Sequence, residues 1–98
     1  MRRGTTPTLV FELEGVELAD VQTAILTIRQ KYKNIINQEL TIDTENSTLY
    51  LTLTQEQMLL FDEGKCKMQI KVLFTNQSVG ASVIKETCID DILNEEVL

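Results

Sequence analysis

Few side chains in this sequence could do chemistry, and their spacing suits almost none of it. The 98 residues include no histidine. That removes Ser-His-Asp and Cys-His nucleophilic systems and the usual zinc-ligand sets. The acids occur as adjacent pairs, Asp62-Glu63, Asp90-Asp91 and Glu95-Glu96. General acid–base work needs carboxyls held in a pocket with shifted pKa values. Neighbouring acids on a hydrophilic loop or tail are solvated instead. No catalytic residue is therefore assigned, and the chain is not expected to be an enzyme. Asp43 and Glu45 suggest a calcium loop, but the EF-hand ligand spacing is missing and a polar turn accounts for them. No GxGxxG, Walker loop or HExxH is present, and the glycines at 4, 15, 64 and 80 are too scattered to cradle a phosphate. No metal, cofactor or small-molecule substrate is expected.

Two further groups of residues need weighing. Lys65, Lys67 and Lys71 could form an anion-binding stripe. The plainer reading is a solvated strand face whose lysines discourage edge pairing. Cys66 and Cys88 are too few for a disulfide-built scaffold and lack metal-motif spacing. If residues 75–79 form a hairpin loop, Phe74 faces Gly80 and the same register sets Cys66 opposite Cys88. A bridge is then geometrically open. A reducing cytoplasm favours two buried free thiols. The triplets Asn46-Ser47-Thr48 and Asn76-Gln77-Ser78 match the glycosylation pattern, but no secretory signal accompanies them.

Composition bounds the rest. This length suits one domain over 1–98, and 43% apolar residues suffice for a core. With three Phe, two Tyr and no Trp, that core must rest on Leu, Ile and Val. A net charge of −6 repels phosphate backbones, so nucleic acid is not an expected partner. Arg2 and Arg3 sit in a start, residues 1–6, that reads as an exposed arm. No run approaches the roughly 18 apolar residues of a membrane helix, so no membrane partner is expected either. The expected location is the cytoplasm of the producing cell.

The elements that must position these residues follow from alternation. Residues 65–74 read KCKMQIKVLF, with Cys66, Met68, Ile70, Val72 and Phe74 on one face and Lys65, Lys67, Gln69 and Lys71 on the other. A period of two over ten residues specifies a strand with one buried face. Residues 7–13, 23–30, 35–42, 48–53 and 80–89 read as the other strands. The face Ala24, Leu26, Ile28 in the second is clean. Gln38 interrupts the third, which suggests a bulge or an edge position. The sequence KYKN is the turn between them. Val16, Leu18 and Val21 lie in a connection that covers one end of the core. Thr54 and Gln57 form a capping box, with Leu53 and Met58 at the staple positions, so residues 55–61 read as a short helix whose Met58, Leu59 and Phe61 plug the core. The expected fold is all-β: an immunoglobulin-like antiparallel β-sandwich of six or seven strands. The register of the last hairpin is the least constrained feature, because Ile84 and Ile89 are five apart.

Several segments resemble small structural proteins of tailed phages and prophages of Gram-positive bacteria. They are the start RRGTTPT (residues 2–8), the block Leu53 to Glu56 followed by Phe61 and Gly64, the QIKV core at 69–72, and Gly80 to Ser82. They are also similar to the N-terminal sandwich of siphophage baseplate upper proteins. Gln57-Met58 and Cys88 depart from that pattern at packing positions. The resemblance implies a structural role in the virion, in the tail or baseplate, and transfers no catalytic residues. The expected partners are other virion proteins or further copies of the chain, and the expected destination is the virion. The acidic and apolar tail, residues 90–98, is the candidate contact segment through Ile92, Leu93, Val97 and Leu98. The alternative is a carbohydrate- or host-surface-binding sandwich acting through Tyr32 and Tyr50.

Overall fold

Alternating aliphatic residues build two sheets that share one core. The computed structural model describes residues 1–2, 4–13, 15–82 and 84–89. In chain order the elements are β1 (Thr8–Phe11), a 3₁₀ turn (Leu18–Asp20), β2 (Val21–Gln30), β3 (Lys33–Glu39), β4 (Thr41–Asp43), β5 (Thr48–Thr52), α1 (Gln55–Leu59), β6 (Gly64–Phe74), β7 (Val79–Ala81) and β8 (Lys85–Ile89). The large sheet runs β3-β2-β6, with β7 and β8 both paired along the far side of β6; the small sheet runs β1-β5-β4. Every pairing is antiparallel. The inner face of the large sheet contributes Ala24, Leu26 and Ile28 from β2 and Cys66, Ile70 and Val72 from β6. Leu49 and Leu51 from β5 meet them from the small sheet, all in one buried cluster. This is a β-sandwich, two sheets closing on interdigitated inner faces.

One end of the sandwich is closed by the helix. Thr54 Oγ1 accepts the Gln57 N–H at 3.1 Å, and Gln57 Oε1 accepts the Thr54 N–H at 2.9 Å. Gln57 Nε2 also donates to Gln38 Oε1 at 2.6 Å, which explains the polar residue in β3: it meets the helix, not the other sheet. Leu53, Met58 and Phe61 are all fully buried, so the two staple positions and the residue past the helix form the plug. Gly64 then enters β6 at φ 127, a backbone setting that side-chain-bearing residues rarely adopt.

Four expectations change. The third strand, read as one piece over 35–42, is two strands in different sheets. Leu40 still donates its N–H to the Ala24 carbonyl at 2.8 Å, and at Thr41 the chain joins the small sheet. The last strand, read over 80–89, is likewise split into β7 and β8. The helix ends at Leu59, not at residue 61. The start of the chain, expected as a loose arm, is tied at Met1, which packs on the core and donates its amine to the Cys88 carbonyl at 2.7 Å.

The hairpin register also differs from the one expected. Val72, not Phe74, faces Gly80, and Met68 faces Lys85. Four steps back along β6 therefore match five steps forward, so one extra residue is absorbed between β7 and β8. Ser82 supports this bulge: its N–H donates to the Ile70 carbonyl at 2.8 Å, and its Oγ accepts the Ile70 N–H at 2.9 Å. A one-residue shift exchanges the faces of a strand. Cys66 consequently pairs with Thr87, and Cys88 pairs with Lys65. Cys66 is buried, Cys88 is exposed, and both are free thiols. The expected Cys66–Cys88 facing pair and the expected burial of Cys88 are both overturned. Burial pushes the Cys66 thiol above its ordinary value near 9.0. Brief alkylation of the native protein is expected to add one label, at Cys88, and alkylation in denaturant to add two. Intact-mass spectrometry reads the difference, and rapid double labelling of the native state would contradict this burial. The same shift makes the buried neutral thiol favour the fold below the ordinary thiol pKa, a contribution lost as pH rises through the higher folded value.

Candidate functional site

The outer face of the large sheet gathers positive charge. The antiparallel register of β2 on β6 sets Arg29 directly beside Lys67, Thr27 beside Gln69 and Ile25 beside Lys71. On the other side of β6, Lys67 faces Glu86 and Lys65 faces Cys88. Like charges directly opposite each other on a sheet disfavour the pairing. Arg29 and Lys67 occupy such positions. Arg29 donates from Nε to Asn34 Oδ1 at 3.0 Å. Among the described residues, Lys65, Lys67 and Lys71 make no ion pair. Five of the nine cations of this acidic chain (Arg29, Lys31, Lys65, Lys67 and Lys71) thus lie on this face or at its edge. A groove of about 470 Å³ is lined by Arg29, Lys31, Lys65 and Lys67 together with Glu86, with Tyr32 and Ile84 in its wall.

The turn at the end of this groove is held in an unusual backbone state. Lys31 and Tyr32 have φ 51 and 66. Positive φ at both central residues of a two-residue hairpin marks a type I′ turn, which Asn-Gly fills best. Tyr32 is 100% exposed, so no packing repays the strain. The turn is fastened from below by Gln30, a buried polar side chain 4% exposed. Its Nε2 donates to the Asp62 carbonyl at 2.7 Å, and its Oε1 accepts the Asp62 N–H at 2.8 Å. Lys31 Nζ adds an exposed ion pair to Asp62 at 3.2 Å, a contact worth little in water. Replacing Lys31-Tyr32 by Asn-Gly is expected to stabilise the fold by about 1 kcal/mol, the relief of left-handed strain less the extra freedom of glycine in the unfolded chain. A thermal melt should rise by roughly 4–8 °C.

The remaining sequence candidates do not converge. Tyr50, 38% exposed, lies on the outer face of the small sheet beside Val10 and Thr41, so it belongs to a different sheet from the Tyr32 turn. Ile92, Leu93, Val97 and Leu98 lie outside the described residues, as do the pairs Asp90-Asp91 and Glu95-Glu96. Asp43 accepts the Asn46 side-chain amide at 2.8 Å and its N–H at 3.3 Å. Those bonds hold its carboxyl below the usual range. No three His, Cys, Asp or Glu side chains among the described residues cluster as a metal site would require. A second, more apolar cleft of about 530 Å³ opens where Phe11 and Leu13 face β6 and β7.

Arg29 and Lys31 were missed as members of a site. Arg29 is outward in the alternation of β2, so its exposure was readable. Its place beside Lys67 depends on β2 pairing with β6, some forty residues away in sequence.

No protein-family model matches the sequence, and no curated protein does. Among solved structures, the crystal structure of CopC from Methylosinus trichosporium OB3b is similar, with a TM-score of 0.62 at 13% sequence identity. The match covers 95% of this chain and 85% of CopC. At that identity the likeness speaks to the fold.

Proposed function

We propose that this domain is a non-enzymatic structural or assembly module of a phage or prophage particle, in the tail or baseplate, and that it works through protein–protein contact. The observation that carries the contact reading is the row Arg29, Lys65, Lys67 and Lys71, which make no ion pair among the described residues, across one sheet face of a chain whose net charge is −6, with Glu86 opposite Lys67 as an acid on it. Complementary charge on such a face selects and orients an anionic partner surface. Among the described residues, the pair Asp62-Glu63 does not line the groove. Repulsion from the whole chain disfavours a nucleic-acid partner. The particle itself comes from the resemblance of residues 2–8, 53–64 and 69–82 to phage structural proteins. Among the described residues, no helix is long and apolar enough to cross a membrane. The module is made in the bacterial cytoplasm and leaves in the virion.

The exposure of Tyr32 beside the groove favours a second reading, a carbohydrate- or host-surface-binding module. Particles purified after induction of a host strain carrying the gene separate the two. The chain is expected in them at a fixed ratio to the major tail proteins by quantitative mass spectrometry. A chain abundant in the lysate and missing from the particles would end the assembly reading. Glycan-array binding that disappears with Tyr32→Ala or Tyr50→Ala would establish the second.

A further inference from the structure

We propose that the cationic groove and the Tyr32 turn form one binding site for an acidic saccharide, a glycan whose rings carry isolated carboxylate, sulfate or phosphate groups. This rests on the second reading above and names its ligand class. It holds whether or not the chain is assembled into a particle. Asn34, Arg29, Lys67 and Glu86 stand in one row across β3, β2, β6 and β8. Neighbouring strands lie about 4.8 Å apart, so the backbones at Arg29 and Glu86 are about 10 Å from each other, and Lys65 follows Lys67 at about 7 Å along β6. Arg29 and Lys67, side by side, can clamp one anionic group between them. The Nε of Arg29 donates to Asn34 at 3.0 Å, and its two terminal amino groups remain for a ligand.

The groove carries acceptors as well as cations. Glu86 lines it as a carboxylate. Thr27 Oγ1 donates to Asn37 Oδ1 at 3.0 Å, and Gln69 Nε2 donates to the Ser82 carbonyl at 2.9 Å. Those bonds leave the Thr27 hydroxyl oxygen and the Gln69 amide oxygen able to accept. Sugar hydroxyls supply donors for all three acceptors. An inorganic anion offers none, and Glu86 repels it. The third element is the aromatic wall. Tyr32 is 100% exposed at φ 66, and the clamp of Gln30 on Asp62 holds its turn. Strain kept without packing to repay it gathers at ligand sites. A tyrosine presented this way offers a sugar ring a flat amphipathic surface at little cost in ordering. Tyr50 lies on the other sheet and takes no part. The charge of the whole chain narrows the ligand further. At −6 the protein repels a long polyanion, so isolated acidic groups suit the groove and a continuous phosphate backbone does not.

NMR chemical-shift titration of the full chain tests this. It compares sialyllactose, sulfolactose and phosphorylated lactose with plain lactose, inorganic pyrophosphate and a short glutamate peptide. At least one acidic lactose is expected to bind roughly tenfold more tightly than lactose, pyrophosphate and the peptide. Lys65→Glu with Lys67→Glu should remove that preference. Tyr32→Gly, at a φ that glycine adopts freely, should weaken the acidic lactose roughly tenfold and leave pyrophosphate unchanged. Unmoved backbone shifts on the small sheet report that each variant is folded. Lactose binding equal to that of its acidic forms, and indifferent to the lysine reversals, would overturn the acidic class and leave the second reading standing. Tighter binding of pyrophosphate or the peptide than of any acidic lactose would overturn the saccharide. Acidic-lactose binding that ignores Tyr32→Gly would overturn the joint site. No shift with any of the saccharides up to about 10 mM would overturn the proposal, and the glycan array then decides the second reading separately.

Discussion

Phe61→Ala is expected to lower the unfolding free energy by about 3–5 kcal/mol. Phe61 is 0% exposed and leads the fully buried side chains in volume. It follows the helix whose Met58 is equally buried, and Leu53 precedes that helix in the same cluster. Truncation removes most of the plug between the two sheets. The surrounding backbone is held by the capping box and by β6, so the void can collapse only in part. A domain of this size has a total stability of about 5–15 kcal/mol, so the loss is a fifth of it or more. At roughly 4–8 °C per kcal/mol, the melting temperature should fall by about 12–40 °C. Leu60→Ala is the internal control. Leu60 is 62% exposed, and its truncation should change stability by less than about 0.5 kcal/mol. Urea melts of the two variants measure the contrast. Similar midpoints for both would mean that the helix does not close the core as described.

Gln30 should be nearly as sensitive, for a different reason. Its amide satisfies both the N–H and the carbonyl of Asp62. Gln30→Ala leaves those two groups in a part-buried place without their partner, at a cost of about 2–4 kcal/mol. Gln30→Glu separates hydrogen bonding from shape. An ionised carboxylate can still accept the Asp62 N–H but cannot donate to the Asp62 carbonyl, and it places a charge where water is scarce. Burial raises the folded-state pKa of such a carboxyl above its unfolded value of about 4.3. The protonated form restores the missing donor. The stability of the Gln30→Glu variant relative to the parent should therefore be greatest below about pH 4 and decline as pH rises through the raised folded value. Urea midpoints of parent and variant at acid and neutral pH provide the test. A difference independent of pH would show that position 30 is wetter than its 4% exposure indicates.

Local chemistry was readable along the chain because it is local. The faces Ala24, Leu26, Ile28 and Cys66, Met68, Ile70, Val72, Phe74 follow from a period of two; Met68 and Phe74 are partly buried and the others buried. The capping box at Thr54 and Gln57 needs only four consecutive residues, and both of its hydrogen bonds are present. The polar interruption at Gln38 pointed to a bulge or an edge position, and β3 is an edge strand. The errors fall where one residue decides between two pairings. The crossing at Leu40 turned one expected strand into two sheets' worth. The bulge at Ser82 moved the last hairpin by a step and turned Cys88 outward. A hydroxyl standing in for a ladder carbonyl leaves no periodic mark in sequence.

The candidate surface divides in the same way. The outward set Lys65, Lys67, Lys71 and the exposed position of Arg29 belong to the sequence, since alternation alone assigns each side chain a face. That these cations gather on one face is a property of the tertiary structure. It requires β2 beside β6 in a register that seats Arg29 next to Lys67, and a turn at Lys31-Tyr32 clamped through Gln30 to Asp62. Alternation is set by the geometry of one strand, whereas charge accumulation is set by which strands are neighbours. The first is carried by adjacent residues, and the second by contacts between residues some forty positions apart.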